Sequence, residues 1–146
     1  MKCKDVMLTL IFKCDEATTI AEAARVMRDE QLGFLPVLNG LTVVGVVTDR
    51  DIVVRVVAER RSIDGPVSAI MSTGPFLTCA PDDDLHELEQ RMAQTKKARA
   101  LVKAEDGSLL GIISLSDIAQ SERSAARTGK LLRDLTRRES VAIVRH

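Results

Sequence analysis

Gly45-Val46-Val47-Thr48-Asp49-Arg50-Asp51-Ile52 is answered further along the chain by Gly111-Ile112-Ile113-Ser114-Leu115-Ser116-Asp117-Ile118. Each copy leads from an apolar strand through a hydroxyl residue to an aspartate three places on, and then into a helical pattern. A hydroxyl at the N-cap with a carboxylate at N3 makes a capping box, which satisfies orphan backbone donors and favours the helix dipole. The same atoms suit a nucleotide. Free N–H groups and the hydroxyl can meet a phosphate, and the carboxylate can accept from both cis hydroxyls of a ribose. The residues alone leave both readings open. Two copies in register establish a duplication.

Working outward, Val6-Met7 matches Ile70-Met71, and Ile20 and Met27 match Leu85 and Met92. The offset drifts from 64 through 65 to 66, one residue at a time, with the later step at the longer Ala104-Glu105-Asp106-Gly107 turn. Each repeat reads helix, strand, strand, helix. Thr18 or Thr19 caps a helix carrying Ile20, Ala23, Ala24 and Met27 at i, i+3, i+4, i+7 spacing, and Gly33 is expected to end it. Residues 34–38 and 42–47 form strands around Asn39-Gly40, which supplies the positive φ angles of a tight hairpin. A second helix opens after Thr48, with Ile52, Val53, Val56 and Val57 as its apolar stripe, widened by Val54. The second half repeats the order: a helix after Asp82-Asp83-Asp84, strands at Ala100-Leu101-Val102 and Leu109 to Ile113, and a helix after Ser114. The predicted organisation is a first domain over 3–60, a linker over 61–66, a second domain over 67–120 and a tail over 121–146. The fold class is α+β. Units of about 60 residues bury their surface poorly alone, so the repeats are expected to pack sheet to sheet. The valine-rich helix after Thr48 has apolar face to spare, which predicts a homodimer.

The chain has 146 residues, is 45% hydrophobic, and balances 21 cationic against 21 anionic side chains. A disordered chain is excluded, and bulk charge offers nucleic acid or membrane nothing to hold. With no Trp or Tyr, and three Phe, base-stacking platforms are also excluded. Cys3, Cys14 and Cys79 contain no C-x-x-C pair and read as small buried hydrophobes in a reducing, cytoplasmic setting. Cys14 and Cys79 fall at equivalent repeat positions, which does not by itself bring two β-carbons within bonding distance. The run from Val6 to Phe12 lacks the length and cleavage site of a secretory signal, and no stretch approaches the ~20 apolar residues of a membrane span.

The halves resemble a tandem pair of cystathionine-β-synthase-type (CBS) domains over roughly residues 3 to 120. The resemblance is carried by Asp5-Val6-Met7 and Ala69-Ile70-Met71, by Leu35-Pro36-Val37, and by Thr48-x-x-Asp51 and Ser114-x-x-Asp117. It implies a pseudo-twofold stand-alone module with clefts for an adenosine ligand, usually AMP, ADP or ATP, and in some relatives NADH, S-adenosylmethionine or a cyclic dinucleotide. Two such modules usually form a disc-like homodimer that acts as a sensor. Carried over, Asp51 and Asp117 hold ribose hydroxyls, Thr48 and Ser114 approach phosphate or ribose, and Val46 and Ile112 lie at adenine and sugar. Arg99 falls where relatives present a basic residue to the companion repeat's ligand. Arg50 flanks the first motif, and Phe34 stands opposite the second where Arg99 serves the first, so the Asp51 site is expected to bind phosphorylated adenosine more tightly. Leu101 replaces the usual Pro of the second repeat, and Lys13-Cys14-Asp15-Glu16 lacks the counterpart of Pro81.

Catalysis has no support in the residues: there is no nucleophile turn, no Cys beside a His, no Walker loop and no metal-ligand cluster. The acidic run 82–84 reads as a helix start, and His86 as a surface helix residue. The tail carries seven cations against three anions, a net +4 that leaves the body at −4. Leu131, Leu132 and Leu135 share a face there. The tail is expected to fold back on its own protein; docking to an acidic protein target or to nucleic acid is the alternative.

Overall fold

The computed structural model describes residues 1–121 and 125–136. Thr19 opens α1 (Ile20–Glu30). Its Oγ1 accepts the Glu22 N–H at 3.1 Å while the Glu22 carboxylate accepts the Thr19 N–H at 2.9 Å. Thr18 instead turns back, its Oγ1 accepting the Asp15 N–H. Ile20, Ala23 and Met27 are the buried face of α1. The helix stops at Gln31 rather than at Gly33. Gln31 takes the left-handed conformation (φ 54°) and donates its N–H to the Met27 carbonyl. Gly33 serves close approach, since a β-carbon there would stand 2.9 Å from the Asp49 carboxylate.

Strands β2 (Phe34–Asn39) and β3 (Thr42–Thr48) pair antiparallel, with a register irregularity at Val37/Leu38. Only Gly40 of the expected Asn-Gly turn has positive φ, at 63°. Asn39 completes the strand, so the turn is displaced one residue. A two-residue strand, β1 (Cys14–Asp15), adds parallel to β2 and gives the sheet order β1-β2-β3. After Thr48, α2 (Asp49–Ile52) widens into a π-helical turn over Val53–Val57. The i→i+5 bonds from the Ala58 N–H to the Val53 carbonyl and from the Arg61 N–H to the Val56 carbonyl rotate the valines off a 3.6-residue stripe. Only Val56 of the four valines is buried; Val53, Val54 and Val57 are 57%, 49% and 65% exposed.

The second repeat reproduces the order. Strand β4 (Thr78–Cys79) runs parallel to β5 (Arg99–Lys103), β6 (Leu109–Ser114) completes the sheet order β4-β5-β6, and α3 (Leu85–Thr95) lies between β4 and β5 in sequence. Asp84 caps α3 by accepting the His86 N–H at 2.7 Å, and Lys96 ends it at φ 54°, as Gln31 ends α1. Helix α4 (Leu115–Ser121) follows, and α5 (Ala125–Thr136) packs on α3 and α4.

Contacts group the chain into two compact units whose members are not consecutive. One joins Met1–Thr9 to Leu77–Val102 and to the chain from Gly111 on; the other joins Leu10–Phe76 to Lys103–Leu110. Each repeat's lead-in segment therefore lies in the core of the opposite repeat. Cys3 and Val6 pack with Leu88, Met92, Val102 and Ile113. Val67 and Ile70 pack with Ile20, Leu35, Val47 and Val56. All three cysteines are free and buried, as their composition suggested. Leu131 is buried against the second-repeat core, so the described part of the tail folds on its own chain. The remaining charged tail positions, Glu122, Arg123, Arg137, Arg138, Glu139 and Arg145, lie outside the described residues.

Candidate functional site

β3 delivers Val46 and Thr48 to the mouth of α2, and the lead-in segment of the second repeat returns beside them. Val46 and Ser72 exchange backbone hydrogen bonds of 2.9 and 2.8 Å. This approach requires Gly45, because a β-carbon there would overlap the Met71 side chain. Thr48 Oγ1 accepts the Asp51 N–H at 3.0 Å and Asp51 Oδ2 accepts the Thr48 N–H at 3.0 Å. Asp51, 9% exposed, also accepts from the Ser72 hydroxyl, at 3.2 Å on Oδ1 and 3.5 Å on Oδ2. The Arg55 Nε lies 3.9 Å from Asp51 Oδ1. That guanidinium is held by the Ile70 and Met71 carbonyls at 2.9 and 3.1 Å. Arg50 is exposed beside the motif.

The second motif has the same frame with different side chains. Leu8 and Ile112 exchange backbone hydrogen bonds of 2.9 and 3.0 Å, over Gly111, where a β-carbon would stand 2.9 Å from the Met7 sulfur. Asp117 Oδ2 accepts both the N–H and the hydroxyl of Ser114, each at 2.7 Å, and Ser114 Oγ accepts the Asp117 N–H at 3.2 Å. Asp117 is half-buried. Arg99 is exposed at the start of β5, next to Ala98, whose carbonyl accepts the Leu115 N–H at 2.9 Å. Thus Val46, Thr48, Arg50 and Asp51 cluster in one compact unit, while Arg99, Ile112, Ser114 and Asp117 belong to the other.

The motif residues were readable from the repeat; Ser72 and Arg55 were not singled out. Their signal was faint. Ser72 follows the repeated Ile70-Met71 where the first repeat has Leu8, and Arg55 hides among valines. His86 is an exposed residue of α3, as expected, with neighbours that the sequence did not announce. Its Nδ1 lies 3.0 Å from an Arg127 guanidinium nitrogen, which donates to the buried Glu89 Oε1 at 2.8 Å. Here α3 and α5 line an open pocket of about 240 Å³.

The thiols show what burial does to ionisation. Desolvation pushes Cys14 up to about 11 and Cys79 up to about 12. Exposed Asp82 goes the other way, to about 2, through its hydrogen bonds with Lys4 and Lys2. Among the described residues, no group of three or more His, Cys, Asp or Glu stands together as metal ligands. No helix of the described residues is long and apolar enough to cross a membrane.

Comparison with known proteins agrees with this architecture. The profile of the CBS domain family matches residues 3–58 and 67–123. The CBS domain-containing protein YhcV of Bacillus subtilis is 34% identical over 133 residues, covering 91% of this chain and 94% of its own. An uncharacterized conserved protein of Pyrococcus horikoshii superposes with a TM-score of 0.74 at 30% identity, covering 84% of this chain and 92% of that one. Two further structures share the fold at lower identity. CBSX2, solved in complex with AMP, has a TM-score of 0.71 at 21% identity, over 82% of this chain and 94% of its own. The CBS domain pair of MJ0100, solved with 5′-methylthioadenosine and S-adenosyl-L-methionine, has a TM-score of 0.72 at 20% identity, with the same coverage.

Proposed function

Because this chain belongs to the CBS domain family, with two CBS domains in tandem, we propose that it is a regulatory module that binds an adenosine-containing ligand and signals its occupancy to a protein target. The observation that carries the reading is the duplicated hydroxyl–aspartate pair at the mouths of α2 and α4, Thr48 with Asp51 and Ser114 with Asp117. Each places a carboxylate for ribose hydroxyls beside an apolar residue, Val46 or Ile112, fit to line adenine. The adenosine compounds held by CBSX2 and by the MJ0100 pair support the ligand class. Exposed Arg50 and Arg99 favour the phosphorylated members, AMP, ADP or ATP, over NADH, S-adenosylmethionine or a cyclic dinucleotide. The module acts in the cytoplasm, without catalysis of its own, as a homodimer joined through the exposed valines of the helix after Thr48. Ligand binding shifts a population of conformers that the target reads.

One observation favours a second reading. Both capping boxes close within the protein alone, as they would in a ligand-free dimeric interaction scaffold. A thermal-shift panel of AMP, ADP, ATP, NADH, S-adenosylmethionine and cyclic dinucleotides, with and without magnesium, separates the two. A ligand at a hundred times its dissociation constant adds ~2.7 kcal/mol to stability. Stabilisation by at least one adenosine compound is expected; none at millimolar concentration establishes the scaffold.

A further inference from the structure

We propose that Arg55 is a positioning residue for the first motif: its guanidinium ties the Asp51 carboxylate to the carbonyls of the second repeat's lead-in, and so holds Ser72 on Val46 before any ligand arrives. The inference rests on the adenosine-binding reading above and adds to it a residue that acts on the pocket wall rather than on the ligand.

Val67–Ala69 is a single 3₁₀ turn capped at Ile70. The last carbonyls of such a turn have no partner within it and need donors from outside. Two arginines supply them. Arg55 Nη1 donates to the Ile70 and Met71 carbonyls at 2.9 and 3.1 Å, and Arg61 Nη1 reaches the Ala69 carbonyl at 3.4 Å. Guanidinium groups thus take three consecutive carbonyls immediately ahead of Ser72, which pairs with Val46 through backbone bonds of 2.9 and 2.8 Å. The circuit closes on Asp51. Its Oδ1 lies 3.9 Å from Arg55 Nε and accepts from the Ser72 hydroxyl at 3.2 Å, so the carboxylate reaches the lead-in both directly and through the guanidinium. A planar group with five donors can face an acid and two carbonyls at once. Every member of this ring lies within one compact unit. Arg55 is also the middle residue of the π-helical turn Val53–Val57, and such turns gather at functional sites. The second repeat uses the corresponding position differently: α4 is α-helical, and the counterpart of Arg55 is Ser121, whose hydroxyl turns back to the Ile118 carbonyl. Val46 is the residue proposed to line adenine, and a wall already in place spares the ligand the free energy of ordering it.

Site-resolved amide hydrogen exchange and calorimetry on the full chain test this. Arg55→Met keeps the aliphatic stem and loses the cation, while Arg55→Lys keeps a cation with three donors. Without ligand, the Val46 and Ser72 amides, each bonded across the pairing, should exchange about tenfold faster in Arg55→Met. The Leu8 and Ile112 amides, bonded across the equivalent pairing, should hold their rates and so show that the fold survives. Arg55→Lys should recover most of the lost protection. Adenosine and AMP should each bind Arg55→Met about fivefold more weakly, by the same factor, because the order of the wall is indifferent to the phosphate. Unchanged exchange at Ser72 in Arg55→Met, or no recovery in Arg55→Lys, overturns the inference and leaves the function intact. A loss of affinity confined to AMP also overturns it, by making Arg55 a direct phosphate contact. Binding of neither compound by the unmodified chain removes the adenosine reading and this role together.

Discussion

Asp51 meets a backbone N–H, a serine hydroxyl and a guanidinium, while its repeat partner Asp117 meets one serine twice. Both aspartates stood out in the sequence because the duplication printed them in register. Ser72 did not, because its contact spans 21 residues and depends on a lead-in strand whose pairing no local pattern announces. The buried thiols carry a prediction at this scale. With its pKa pushed up to about 12, Cys79 at pH 8 is about one part in ten thousand thiolate and should react with thiol reagents only as fast as the fold opens. Unfolded thiols ionise near 8.5, so between about pH 9 and 12 the folded state holds the proton that the unfolded state has lost. Stability contributed below that window should therefore fall as pH rises through it. Urea midpoints measured from pH 7 to 11 should drop along the alkaline limb, and Cys79→Ala should flatten the drop.

Elements show where periodicity carries an argument and where it stops. The i, i+3, i+7 pattern located α1 and its buried Ile20, Ala23 and Met27, and the short apolar runs on either side of the Asn39-Gly40 turn located β2 and β3. Strands of two residues, β1 and β4, have no period to detect. The end of α1 was misplaced at Gly33 and that of α3 went unread, since Gln31 and Lys96 adopt a left-handed conformation that glycine would have advertised. The π-helical turn itself was not foreseen, and with it Val53 and Val57 of the expected stripe stand exposed beside Val54, as the spare apolar face. Those valines give the prediction at this scale. If they join two copies of the chain, Val54→Glu with Val57→Glu should convert a dimer to monomers in sedimentation analysis while leaving the far-ultraviolet circular dichroism unchanged. A double variant that sediments as the original does would reject this face as the interface.

At the scale of the whole molecule, the duplication was legible and the exchange of lead-in segments was not. Val6 reads as the start of the first repeat, yet its neighbours are Leu88, Met92 and Ile113. Removing two methyl groups there with Val6→Ala should cost about 1–2 kcal/mol. The signature is where the loss is felt. Amide hydrogen exchange should accelerate in α3, β5 and α4, which share that core, and leave α1 and β2 near their original protection. Acceleration confined to α1 and β2 would contradict the grouping.

The same exchange sets an order of assembly as the chain leaves the ribosome, N-terminus first. The core around Ile20, Leu35 and Val47 has nearly all its members once Ile70 has emerged. The core that needs Cys3 and Val6 must wait for Ile113 and Ile118. Cys3 and Val6, made before every member of that first core, are thus among the last to find their place.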